Sequence, residues 1–262
     1  MANNTANLNI MVKAARKAAR GLIRDFGEVE QLQVSRKGAA DFVSKADIQA
    51  EAVIREELTS ARPNYGWLGE ESVEVKGEDP TRRWIVDPLD GTTNYLHGLP
   101  HWAVSIALEH KGEVVAAVIY DPAKDEMFTA EKGGGAFLND RRIRASGRRD
   151  LSEMIFATGL PFAGRSDLPE TLTDLTKLLP RCAGVRRWGA ASLDLAYVAA
   201  GRYDGFWERE LHAWDMAAGL LMVREAGGLV SSMAPGTPIF ESKSVIAANE
   251  PIYDSFVKLL VG

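Results

Sequence analysis

Trp84-Ile85-Val86-Asp87-Pro88-Leu89-Asp90-Gly91-Thr92-Thr93-Asn94 sets an apolar run against two turn-forming pairs, Asp87-Pro88 and Asp90-Gly91. The pattern predicts a short strand, Arg83 to Val86, that stops abruptly and leaves acidic residues in a turn at its end. Pro88 stiffens that turn, so Asp87 and Asp90 can point at one spot. Gly91 and Thr92 then open a short helix, whose first N–H groups and positive dipole end suit a phosphate. Carboxylates beside a phosphate repel it unless hard cations lie between them, and oxygen-only donors favour magnesium or manganese over zinc.

Outward from this stretch, Leu8, Met11, Ala15, Ala18 and Leu22 recur at helical spacing among Lys13, Arg16, Lys17, Arg20 and Arg24, an amphipathic helix expected to dock on a core. Asp47, Ala50, Ile54 and Leu58 continue a second helix toward Arg62-Pro63. Strands are expected at 102–108, 113–120 and 126–130, the first two joined through Lys111-Gly112, with a turn at Gly133-Gly134-Gly135. The second half reads as strand 154–158, helix 168–179, helix 190–200, strand 206–207, helix 215–226, strand 244–248 and a last helix. Strands alternating with helices give an α/β protein, with a soft boundary near 145–152 separating lobes 1–148 and 149–262 that pack as one unit.

A chain of 262 residues with 46% hydrophobic and 26% charged residues is ordinary for a globular protein, and its net charge of -5 gives no general pull toward nucleic acid. Cys182 is the single cysteine, which fits a reducing, cytoplasmic setting and excludes an intramolecular disulfide. Charges from Lys13 through Arg24 break any signal-peptide core, and no apolar run reaches the roughly 20 residues of a membrane span.

Acid is concentrated at Asp47, at Glu70-Glu71, at Asp87 with Asp90, and at Asp215. Any one of these alone fits a solvated turn or helix cap, and Asp47 and Asp215 each stand near the head of a helical run. In combination, Gly69-Glu70-Glu71-Ser72, Asp87 through Asn94, and Trp214-Asp215 with Glu225-Ala226-Gly227-Gly228 resemble the inositol monophosphatase family in order and spacing. Asp41 to Asp47 looks like its upstream motif, and Gly189-Ala190-Ala191-Ser192-Leu193-Asp194 like its substrate-side motif.

The resemblance implies a layered α-β-α-β-α sandwich and magnesium-dependent hydrolysis of myo-inositol monophosphates or related small phosphate monoesters. By similarity, Glu70, Asp87 and the carbonyl of Leu89 hold a first ion, and Asp87, Asp90 and Asp215 a second, with a third ion or manganese as variants. Glu70 and Thr92 position the attacking water, Asp47 bonds Thr92, and the N–H groups of Gly91 and Thr92 hold phosphate. Glu208, Gly189 and Ala191 contact the polyol alongside Asp90 and Asp215, and Asp194 is a further candidate. A carboxylate suits vicinal hydroxyls because it only accepts; the competing reading pairs Glu208 with Arg209 or Arg187 at the rim. The resemblance also implies a homodimer and lithium sensitivity.

Trp188, Arg209 and Glu210 depart from the family's smaller or neutral residues, so the pocket rim could prefer a different polyol. Histidinol phosphate, fructose 1,6-bisphosphate and 3'-phosphoadenosine nucleotides are the rival substrates, and Thr93-Asn94 stands where nucleotide phosphatases show Lys-Glu. A role with RNA or a transcription complex is the reading from another class; Arg141-Arg142 and Arg148-Arg149 would form its basic patch. His97, His101, His110 and His212 are read as structural.

Overall fold

The computed structural model describes residues 5–26, 34–38, 41–161 and 168–262, with backbone only at 34–38 and 41–44. The basic amphipathic pattern forms α1 (Ala6–Phe26), and its Leu8, Met11, Ala15, Ala18 and Leu22 are all buried. An antiparallel pair, β1 (Val34–Gly38) and β2 (Asp41–Ser44), leads into α2 (Lys45–Ala61), which buries Ala50, Ile54 and Leu58.

A seven-stranded sheet follows in chain order: β3 (Tyr65–Gly69), β4 (Asp79–Asp90), β5 (Ala103–His110), β6 (Glu113–Asp121), β7 (Glu126–Glu131), β8 (Gly135–Leu138) and β9 (Arg141–Ile143). Only β3 and β4 run parallel; the rest is an antiparallel meander, with α3 (Thr92–Leu96) between β4 and β5. Lys111 and Gly112 both take positive φ, which lets a two-residue turn join β5 to β6 directly. This half is therefore helix followed by sheet, as its sequence pattern predicts, because such turns leave no room for crossover helices.

The second half does alternate: β10 (Ile155–Thr158), α4 (Leu168–Leu178), β11 (Gly184–Arg186), α5 (Ala191–Ala199), β12 (Gly205–Glu208), α6 (Ala213–Glu225), β13 (Gly228–Ser231), α7 (Ile239–Ser242), β14 (Val245–Asn249) and α8 (Tyr253–Val261). Its strands order as β11-β10-β12-β14-β13. β8, β9, β11 and β13 escaped the sequence reading because three or four residues carry too little of a period-2 pattern to register.

The layers follow from strand periodicity. On β4, Trp84 and Val86 face α1 and α2, while Ile85 between them faces α5 and α6. On β14, Val245 and Ala247 face α5 and α6, while Ile246 and Ala248 face α4 and α8. Helices thus cover both faces of both sheets in an α-β-α-β-α sandwich, and α5 and α6 form the shared central layer.

Candidate active site

The decisive stretch does not end in a turn. β4 continues through Asp87-Pro88 to Asp90, with Asp87 opposite Ser105 and Asp90 opposite Ala103. Two residues, Pro88 and Leu89, therefore oppose the single Val104, which is a bulge, and Pro88 fits there because it has no N–H to give the ladder. Positions i and i+3 of a regular strand face opposite sides, and the extra residue brings them back to the same side. Asp87 and Asp90 consequently line one cavity of about 270 Å³ together with Glu70, Leu89, Gly91, Thr92, Gly189, Ala191, Glu208 and Asp215.

Each acid is anchored through its element. Glu70 follows β3, its N–H bonded to the Val86 carbonyl at 3.1 Å, and the next N–H, of Glu71, donates to buried Glu51 of α2 at 2.8 Å. Asp87 Oδ1 accepts the Leu89 N–H at 2.9 Å. Asp215 sits in the first turn of α6, where Oδ2 accepts the His212 N–H at 2.6 Å, so it caps the helix and lines the cavity at once. Gly91 enters α3 at φ 94°, a conformation favouring glycine. The Thr92 hydroxyl has Asp47 Oδ1 at 2.8 Å and the Leu89 carbonyl at 3.0 Å as acceptors. Asp47 is the third residue of α2, fully buried, and not the helix cap that its position allowed.

The facing wall comes from distant segments. Asn94 Nδ2 donates to the carbonyls of Trp188 at 2.7 Å and His101 at 2.8 Å, which fastens the loop before Gly189 to α3. Ser192, at the start of α5, gives Asp90 Oδ2 both its N–H at 2.8 Å and its hydroxyl at 2.5 Å. Gly159 supports Glu208 from β10: a Cβ there would lie 1.9 Å from the Glu208 carboxylate. Arg209 does not pair with Glu208 but with Asp174 of α4, at 2.5 Å. Asp194 is buried and does not line the cavity. Gly159, Leu160, Arg187 and Leu211 also line it; of these the sequence reading had weighed only Arg187, as an ion-pair partner. Ser192 was visible only as part of its motif.

Burial, with Glu70, Asp90 and Asp215 nearby, pushes the Asp87 carboxyl well above the usual range. Burial does the same to Asp215, aided by Asp90, and to Asp194, aided by Glu208. Asp90 is pushed up to about 6 by burial, although Ser192 and Ala191 hold it lower than burial alone would. Stacked acidity of this kind is what divalent cations relieve. As they stand, no three Asp, Glu, His or Cys side chains among the described residues enclose an ion unaided; Leu89, whose carbonyl accepts from Thr92, lines the cavity with the acids. An all-oxygen donor set with excess buried negative charge fits hard cations and offers nothing that selects zinc.

None of the four histidines lines the cavity. His212 stacks on Trp214, His97 bonds the Thr93 carbonyl, and His101 is buried against Trp188, its ring pushed down to about 3 by burial and Lys124.

The sequence matches the inositol monophosphatase family over residues 3–261. A Rhizobium meliloti protein named inositol-1-monophosphatase is 59% identical over 248 residues, covering 95% of this chain and 93% of its own length. The Nus factor SuhB of Escherichia coli is 47% identical over 242 residues, covering 92% and 91%. Among solved structures, the extragenic suppressor protein SuhB of Bartonella henselae superposes with a TM-score of 0.95 at 56% identity, covering 98% of each chain.

Proposed function

The chain belongs to the inositol monophosphatase family, and from that premise we propose that it hydrolyses myo-inositol monophosphates, with magnesium as its cofactor. The observation that carries the proposal is the shared cavity, where Glu70, Asp87, Asp90 and Asp215 meet the start of α3 on one side and Glu208 on the other.

Glu70, Asp87, Asp90, Asp215 and the Leu89 carbonyl would hold two cations, with room in the donor set for a third. When bound, such ions supply a clamp that neutralises charge on the phosphate and leaving oxygen and lowers the pKa of a water. The residues do the rest. Thr92 spends its hydroxyl proton on Asp47 or the Leu89 carbonyl, so its oxygen is left to accept from the attacking water, with Glu70 as the second acceptor. The first N–H groups of a helix have no partner inside it, so Gly91 and Thr92 can bind phosphate oxygens. Glu208, with the backbone at Gly189 and Ala191, accepts and orients the polyol hydroxyls. Assembly as a homodimer and inhibition by lithium belong to the same proposal.

The test is phosphate release from myo-inositol 1-phosphate with magnesium and then with EDTA, beside Glu208→Ala. Magnesium-dependent release that falls sharply in the variant supports both walls of the site. Release indifferent to EDTA sinks the cation clamp, and no release redirects the reading to histidinol phosphate or fructose 1,6-bisphosphate.

The SuhB relatives named as Nus factors motivate a second reading, association with RNA or a transcription complex. Its expected basic patch is thinned, since Arg148 pairs with Asp204 and Arg142 lies over Gly135. Salt-dependent RNA binding that survives Asp87→Asn would support it, and no binding at low salt would remove it.

A further inference from the structure

β12 delivers its side chains alternately to the two faces of the five-stranded sheet. Phe206 enters the core shared with α5 and α6, and Trp207 enters the core shared with α4 and α8. By that alternation Glu208 turns toward the cavity and Arg209 toward α4. The ladder with β14 ends at Glu208, opposite Val245, and Glu210 already turns away at φ 57°. Glu208 shares the cavity with Asp90 and Asp215, and like charge tends to drive it outward. On the opposite face, Arg209 donates to Asp174 at 2.5 Å, with side chains 21% and 3% exposed. Asp174 is firmly placed, because Leu175 and Leu178 of the same helix pack in the core beneath it. A pair anchored on buried Asp174 at this point restrains residue 209, and through one peptide bond the direction of Glu208.

We propose that the Asp174–Arg209 ion pair is the device that aims Glu208 at the polyol, making both its members positioning residues for substrate selection. The proposal rests on the polyol-phosphate reading and deepens it. The phosphate half of the cavity has no part in this pair, so its loss should separate the two halves: recognition of the polyol suffers while handling of phosphate does not.

The experiment compares steady-state kinetics on myo-inositol 1-phosphate with those on phenyl phosphate, which has no polyol. Arg209→Met leaves a buried carboxylate unpaired and could unfold the strand end, so the informative variant is Arg209→Met with Asp174→Leu, which removes both charges together. Thermal melting first establishes that the double variant is folded, and an unfolded one is replaced by Asp174→Asn, which removes the ion pair and leaves only the more exposed Arg209 unpaired; the charge exchange Arg209→Asp with Asp174→Arg serves as the rescue. For the double variant, KM for inositol monophosphate is expected to rise about tenfold, what misplacing one charged hydrogen-bond acceptor costs. Its kcat on that substrate and its kinetics on phenyl phosphate stay within about twofold of the parent, and the charge exchange recovers most of the KM. Unchanged KM in a folded double variant would overturn the proposal, as would equal losses on both substrates. Glu208→Gln, run in parallel, tells the two failures apart. If it abolishes the preference for the inositol ester and the double variant does not, only the positioning role falls; if wild type shows no preference, the polyol reading falls with it.

Discussion

The two walls of the cavity are built in different ways. The acidic wall is mostly local: Asp87, Leu89, Asp90, Gly91 and Thr92 fall within six residues of one bulged strand and its following helix, Glu70 comes just after the adjacent parallel strand, and Asp215, in the first turn of α6, is the acid brought from far along the chain. The wall proposed to meet the polyol is assembled at long range, with Gly159 after β10, Gly189 and Ala191 before and within α5, and Glu208 at the end of β12. A local wall keeps its geometry as long as one strand keeps its register. A distributed wall depends on pairs such as Asn94 with Trp188 and Arg209 with Asp174, and it can change substrate without disturbing the chemistry opposite. On the proposed reading, specificity and catalysis are therefore separable in this site.

The largest effect should come from the local wall. Asp90→Asn removes one of the proposed cation ligands, and turnover is expected to fall on the order of a thousandfold on every phosphate ester tested, since clamped charge is lost whatever the alcohol. Circular dichroism and melting should show an intact fold. Loss of folding, or loss confined to the inositol ester, would break the division between the walls.

The distributed wall answers to Gly159→Ala. The added methyl would sit 1.9 Å from the Glu208 carboxylate, whose flexible end must swing away. The kcat/KM for inositol monophosphate should drop about 10- to 100-fold, in the range of a lost charged hydrogen bond and mainly through KM, with phenyl phosphate kinetics nearly unchanged. Equal losses on the two esters would show that the walls are coupled after all.

A third test uses pH without substrate. Burial lifts Asp90 in the folded protein to about 6 from an ordinary 3.8, and Asp87 and Asp215 are also raised. A raised acid means the folded state binds more protons than the unfolded one across that window, so stability falls as pH rises from about 4 through about 6. In chelator, melting should weaken by on the order of 2–3 kcal/mol between those values for Asp90 alone. Asp90→Asn should flatten the slope and magnesium should restore stability at pH 7; a slope untouched by both would mean that the acid wall is not strained.

The same contrast explains what the sequence made legible. Asp87, Asp90, Gly91 and Thr92 could be read in one glance because local chemistry writes itself in contiguous residues. Even there the strand was cut short: a Pro and two Asp residues read as a turn, and only pairing with Ser105 and Ala103 reveals a bulge. Gly159 gave no signal at all, because its value is the absence of a side chain beside a carboxylate 49 residues away in sequence. The competing reading that pairs Arg209 with its neighbour Glu208 fails for a related reason. Sequence proximity suggests pairing, whereas strand alternation sends adjacent side chains to opposite faces.

Ser192 lies where the two walls touch, and it gives the smallest expected effect. It belongs to α5 on the polyol side, yet its N–H and hydroxyl both end on Asp90 Oδ2. Ser192→Ala keeps the N–H and deletes the hydroxyl, leaving Asp90 one donor poorer and freer to rotate. A hydrogen bond to a charged group contributes about 1.5–3 kcal/mol, but the retained N–H should cover part of that, so a loss near the lower bound is expected. Magnesium affinity, measured by calorimetry on the substrate-free protein, should then weaken by about tenfold. The ratio of activities on inositol and phenyl esters at saturating magnesium should not move, because Glu208 is untouched. A shifted ratio with unchanged magnesium affinity would place Ser192 with the polyol wall and redraw the boundary between the two.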